Sequence, residues 1–223
     1  MKISDFCLLN STSLKKNESS KEFLYLDTAN ITNGTIDSFQ EYSSYAELPS
    51  RARRKVTNNS ILYSTVRPNQ KHFGILTNPP DNLIVSTGFC VIDVDEKIAN
   101  PRYVYYYLAQ ESITTKLHAI AEQATTAYPS IKTKDLGDLD INLPDLEKQN
   151  EIAKILTTLD EKIFLNSRIN DKLYAENPRI HRSSSRGART GSRRHRHTPE
   201  RHRTRLAAAQ NLDSFCTALL QYL

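Results

Sequence analysis

Two short strings hold residue types that can do chemistry. Pro80-Asp81, followed by Asp95-Glu96-Lys97, has the parts of a magnesium-dependent nuclease. Two carboxylates would hold the metal, and the lysine would orient the attacking water. The pattern is permissive, and Asp93-Val94-Asp95-Glu96-Lys97 also reads as the polar end of a strand before a helix cap. Asn78-Pro79-Pro80-Asp81 has three of the four residues that hold a flipped adenine in a methylating site, but an aspartate stands where the stacking aromatic belongs. None of the six glycines forms a G-x-G loop, so the tetrapeptide reads as a turn. His72 and His118 stand singly without motif neighbours and read as surface or hydrogen-bonded histidines.

The remaining chemistry is electrostatic. Arg51, Arg53, Arg54 and Lys55 form the densest basic cluster, followed by Arg67, Lys71 and His72. A second cluster, Lys132 and Lys134, lies near Tyr128 and the polar Gln123, Thr125 and Thr126. If the partner is DNA, Arg53, Arg54, Arg67 and Lys134 are expected mainly on phosphates, where they set register. Gln123, Arg51 and Lys132 are then expected to read bases. Tyr103, Tyr105, Tyr106 and Tyr107 are nearly consecutive, so on a helix they cannot all face one ligand, and core packing is the expectation.

The formal net charge of +5 suggests a basic protein, but its distribution says otherwise. Residues 1–176 hold 14 Lys, 6 Arg and 23 acids, and 20 minus 23 is −3; residues 177–223 hold 10 Arg and 2 acids, giving +8. Any DNA binding by the body must therefore rely on local patches. At the same boundary lysine disappears and four of the six histidines enter, namely His181, His195, His197 and His202. The tail has almost no apolar residues and is expected to be disordered. It reads either as an Arg-rich arm for phosphates or as a non-native stretch after a truncation, and the abrupt change of composition favours the second. Cys7, Cys90 and Cys216 are scattered and odd in number, which suggests neither a disulfide framework nor a zinc site. No apolar run approaches about 18 residues and no signal-peptide pattern opens the chain, so a cytoplasmic protein without membrane contact is expected.

The elements that must position these residues are short. Extended segments are expected at residues 23–31, 60–67 and 82–94, the last broken at Gly88, with a Thr-Asn-Gly turn at residues 32–34. Asn100 and Pro101 open a helix as cap and first residue, expected to run to Gln123. Residues 125–136 read as a loop, leading to Gly137 and a short strand, DLDINL. The fold class is α+β with a mixed or antiparallel sheet, because strands and helices do not alternate as βαβ units.

After Leu143-Pro144-Asp145 comes a heptad-spaced helix. Ile152, Leu156, Leu159, Ile163, Asn166, Asn170 and Leu173 follow at steps of four and three, which places them on one stripe. The spacing alone fits a buried amphipathic helix as well as a coiled coil. Ile155 and Ile169 widen the apolar face, whereas the two asparagines suit a pairing seam in which amides fix register. Asp145 is placed to cap the helix and Pro178 to close it. From Ile152 to Leu173 the helix spans roughly 33 Å, close to one turn of B-form DNA at about 34 Å.

The strings ARRKVTNNSILYSTVRP, IVSTGFCVI, YVYYYL, TAYPSI and LPDLEKQNEIAKILTTLDEKI occur in the order found in specificity subunits of type I restriction-modification systems, and residues 1–174 resemble that family. The resemblance implies a non-catalytic DNA-reading subunit: a target-recognition domain at residues 1–142, then a conserved spacer helix at residues 143–176, with residues 177–223 as the tail. It also implies double-stranded DNA, methyltransferase subunits and restriction subunits as partners, with S-adenosylmethionine, magnesium and ATP on those partners. The family has two recognition domains and two helices where this chain has one of each. The expectation is therefore a half or truncated subunit whose helix pairs with a second copy or another half. The alternatives are the nuclease, using Asp81, Asp95 and Lys97, and a fragment retaining only helix-mediated interaction.

Overall fold

The computed structural model describes residues 1–15, 22–124 and 128–176. The expectations for Thr125, Thr126, Pro178 and the tail at residues 177–223 lie outside the described residues. By contacts the chain divides within the helix that begins at Leu146, one unit ending at Ala153 and the next beginning at Lys154.

The first unit is built on two four-stranded sheets. One has the order β1 (Cys7–Leu9), β10 (Phe89–Val94), β7 (Ile61–Ser64), β8 (Phe73–Ile75), all antiparallel. The other has the order β5 (Gln40–Tyr42), β2 (Phe23–Leu26), β9 (Leu83–Ser86), β6 (Ala52–Lys55), in which only β2 and β9 are parallel. A hairpin of β3 (Ile31–Thr32) and β4 (Thr35–Ile36) turns on Asn33 and Gly34, both at positive φ, as a two-residue hairpin turn requires. This is the α+β, mixed-sheet class expected from the sequence.

Leu26, Leu83 and Val85 from one sheet and Leu62, Phe89 and Val91 from the other form a single core between them. The intervening residues of β9 and β10 are buried too: Ile84 packs with Leu14, Leu48 and Ala52, and Cys90 and Ile92 are fully covered. Burial on both faces explains why residues 82–94 read as a nearly continuous apolar run. Only Thr87 and Gly88 separate β9 from β10, so the chain passes from sheet to sheet in two residues.

The helix after Asn100 is interrupted. The Asn100 side chain accepts from the Arg102 and Tyr103 amides, as a cap does, but α1 (Pro101–Leu108) ends and α2 (Glu111–Ala124) begins anew. At the junction the Gln110 amide bonds only three residues back, to Tyr107, and the Gln110 carbonyl accepts from Ile113 and Thr114. α1 is buried nearly all round, whereas α2 buries the stripe Ile113, Leu117 and Ala121, and one straight axis would not serve both. Tyr103, Tyr105 and Tyr106 point inward, Tyr105 meeting Phe73 edge-on, and the Tyr107 hydroxyl donates to the Asp140 carbonyl.

The loop expected at residues 125–136 contains the start of a short helix, α3 (Thr133–Gly137). The strand expected at DLDINL is reduced to one bridge between Asp140 and Lys2. Leu139 and Ile141 are still buried alternately, held by backbone bonds to Ile3 and Met1, and that alternation produced the strand signal.

α4 (Leu146–Glu176) starts where the sequence places it, with Asp145 Oδ1 accepting from the Lys148 amide at 2.8 Å. Ile152 and Leu156 are buried, Leu159 and Ile163 half-buried, and Asn166, Asn170 and Leu173 exposed. Ile155, Phe164, Leu165 and Ile169 are exposed as well, so the open apolar surface of α4 is rotated from the simple stripe. Among the described residues no helix is long and apolar enough to cross a membrane.

Candidate nucleic-acid interface

The basic residues are positioned by backbone hydrogen bonds that join three distant segments. The Thr87 amide, in the β9–β10 turn, donates to the Arg51 carbonyl at 2.8 Å. The Gly88 carbonyl accepts from both the amide and the hydroxyl of Thr65, at 2.8 and 2.9 Å. The Thr65 carbonyl in turn accepts from the Ile131 amide at 2.8 Å, and the Arg67 amide donates to Pro129 at 2.9 Å. Arg51, Arg67, Tyr128 and Lys132 therefore come to one rim, from positions far apart in the chain.

Arg51 lies across the turn. A β-carbon on Gly88 would stand 2.8 Å from Arg51 Nη2 and 2.9 Å from Thr28 Cγ2, so the missing side chain is what lets the guanidinium settle there. Nearby, the Tyr25 phenol is pushed up from its ordinary range chiefly by burial, a shift that the positive charge of Arg51 opposes.

Arg67 is exposed, its guanidinium carbon 5.5 Å from the ring centre of Tyr128, and Tyr128 is itself 70% exposed. Arg67 has φ 48 and ψ 67, in the left-handed region. Lys71, at the other end of the turn Pro68–Gln70, has φ 55. Among the described residues the other four non-glycine residues at positive φ are asparagines, which tolerate it. Lys71 is ion-paired with Glu111 at the start of α2, so its charge is already met.

The rest of the first cluster disperses along β6, as successive residues of a strand must. Arg53 lies 5.3 Å from the Tyr45 ring centre and donates to the Ala52 carbonyl at 2.7 Å. Arg54 is half-buried, with an Nε atom that meets no hydrogen-bond partner. The half-buried Lys55 donates its amide to Thr12. In the second cluster Gln123, Lys132 and Lys134 are exposed, and the Lys132 amide is capped by Asp135 Oδ2 at 2.7 Å. Backbone bonds thus bring the segments of Arg51, Arg67 and Lys132 together, whereas Arg53 and Arg54 are held along β6 by contacts of their own. The sequence reading gave Tyr128 only a supporting place and Gly88 none; the signal for both is their exposed or crowded position, which needs the fold.

Among the described residues no group of three or more His, Cys, Asp or Glu side chains is arranged to hold a metal ion. Asp95 Oδ1 accepts from the Lys97 amide at 3.0 Å, so these two build the turn after β10, and nothing draws Asp81 to them. Asn78 stands in a turn at φ 48, its amide bonded to Asn58, as the tetrapeptide was read. His72 Nδ1 lies 2.6 Å from the Ile31 carbonyl, and His118 pairs with Glu122 one helical turn on.

The chain is thus a two-sheet domain with a basic, aromatic-bearing rim, followed in sequence by a long helix with exposed apolar positions. Its residues 1–175 match the type I restriction modification DNA specificity domain, and the chain belongs to that family. It is 33% identical over 150 residues to the HindI specificity subunit, a type I restriction enzyme subunit of Haemophilus influenzae; the match covers 67% of this chain and 32% of that protein. The HsdS subunit of Thermoanaerobacter tengcongensis is 25% identical with a TM-score of 0.64, over 85% of this chain and 50% of that one. A chain solved to show complex assembly and conformational transition in a type I system gives 25% identity and a TM-score of 0.65, over 86% of this chain and 50% of that one. The chain thus spans from 32% to 50% of the length of these relatives.

Proposed function

We propose that this chain reads DNA sequence for a type I restriction-modification complex and directs methyltransferase and restriction subunits to the target. It is itself non-catalytic. S-adenosylmethionine, magnesium and ATP act on the partner subunits, and the complex works in the cytoplasm, where the DNA is. The half-exposed Ile155, Ile169 and Leu173 on α4 serve helix pairing, with a second copy or another helix of the same kind, and docking of the methyltransferase.

The observation that carries this reading is the placement of Arg51, Arg67 and Lys132 on one hydrogen-bonded rim of a domain matched to DNA specificity domains. Three cations on a body of net −3 make a local field where a duplex can dock. The nuclease reading gains no support, because its residues are not assembled.

A bandshift series on duplex DNA, with and without methyltransferase subunits, tests the proposal. Binding is expected to strengthen with the subunits. Replacing the exposed Lys134, expected on a phosphate, by alanine is expected to lower the salt slope by about 1. No duplex binding in either setting would refute the proposal.

A further inference from the structure

The sequence treats Arg67 as one phosphate contact among several, but the geometry around it is built for something stricter. Holding a phosphate requires a positive charge within reach, which a flexible side chain supplies. Reading a base requires a planar donor pair in a fixed orientation. At Arg67 orientation is what the fold controls. The residue sits in the left-handed region immediately before Pro68, where sterics favour extended backbone. Its amide is tied to Pro129, and its guanidinium is laid against the ring of the next residue back, Tyr128. Lys71, which shares the unusual backbone, is occupied by Glu111, whereas Arg67 makes no ion pair among the described residues. A guanidinium held over an aromatic ring at 5.5 Å is contacted through the ring face and keeps N–H donors free for a base. Those donors match the O6 and N7 acceptors of guanine in the major groove.

We infer that Arg67, oriented by Tyr128 and by its own left-handed backbone, reads one guanine of the target through its major-groove edge. This rests on the DNA-reading function proposed above and adds the base, the groove and the two residues. Tyr128 is a positioning residue: it fixes the plane in which the guanidinium meets the base.

The test uses the full chain assembled with its methyltransferase subunits and a duplex library of randomised sequence, from which bound molecules are sequenced. The wild-type pool is expected to hold a fixed G·C pair, and 7-deazaguanine at that guanine, which removes N7, should weaken binding about 10-fold. Arg67→Lys keeps the charge, so its salt slope should match the wild type, while its preference for that guanine falls about 10-fold and its response to 7-deazaguanine disappears. Tyr128→Ala should lose part of the same preference and no other. If Arg67→Lys retains the guanine preference and the 7-deazaguanine response, or if Tyr128→Ala retains the whole preference, the inference is overturned. A wild-type pool with no preferred sequence would instead overturn the DNA-reading function itself, and this inference with it.

Discussion

Gln149→Leu removes a buried amide that joins the start of α4 to the cap of α1. Gln149 is 1% exposed. Its Oε1 accepts from the Asn100 amide at 2.9 Å, and its Nε2 donates to the Pro144 carbonyl at 2.8 Å and, at 3.5 Å, to Ile98. Leucine fits the volume but leaves the Asn100 N–H and the Pro144 C=O without their partners. Asn100 and Pro144 are half-buried, so water restores part of the loss, and each orphaned group costs about 1 kcal/mol rather than the upper value of about 3. The weaker Ile98 bond brings the total to roughly 2–3 kcal/mol. At about 2–4 °C per kcal/mol for a domain of this size, Gln149→Leu should melt roughly 5–10 °C below the parent. Gln149→Glu keeps the acceptor but buries a carboxyl whose second oxygen faces the Pro144 carbonyl, so at neutral pH it should lose at least as much. Thermal unfolding followed by circular dichroism, with urea titration to check that the slope is unchanged, measures both. A melting point for Gln149→Leu within about 2 °C of the parent would show that this junction does not hold α4 to α1.

Four further outcomes follow from the same structure. Gly34→Ala puts a β-carbon 2.6 Å from the Tyr105 hydroxyl at a residue with φ 77, so urea titration should show a loss of more than about 1 kcal/mol. Burial pushes the Cys7 and Cys90 thiols from 9.0 to about 12, so both should resist iodoacetamide at about pH 8 until denaturant is added, as read by mass spectrometry of their peptides. Burial likewise raises Tyr63 from 10.0 to about 12; because all three groups keep their protons longer when folded, their contribution to stability is complete below about pH 9 and is lost as pH rises towards about 12, which urea midpoints across that range will show. Ile169→Glu with Leu173→Glu changes exposed positions, so melting should shift by less than about 0.5 kcal/mol per site while any self-association seen by sedimentation is lost.

What the sequence discloses depends on whether the cause is local. β9 and β10 were legible because both faces of each are buried and β-branched residues fill them. The α1 start was legible because Asn100 and Pro101 have one local use. The break at Ala109 and Gln110 was not, since neither glycine nor proline marks it and the cause is the different burial of the two helices. DLDINL has the alternation of a strand but only the first residues of the chain beside it. At the candidate site, the charges could be read but not their neighbours: Lys71 looks available until Glu111 is seen beside it, and Arg54 looks like a surface arginine until its Nε is found buried. Arg-Pro in sequence suggests extended backbone, so the left-handed Arg67 had no local signal. The rim depends on bonds from Thr65 to Gly88 and Ile131, which no spacing encodes.

The central claim, that this chain selects the DNA sequence, is tested most directly by mapping methylated bases in a genome where the chain is expressed with the proposed methyltransferase subunits. One recurring target should appear when the chain is present and vanish when it is omitted, and Arg67→Lys should relax that target at one guanine. Methylation that is absent, or that has the same pattern with and without the chain, would contradict the account.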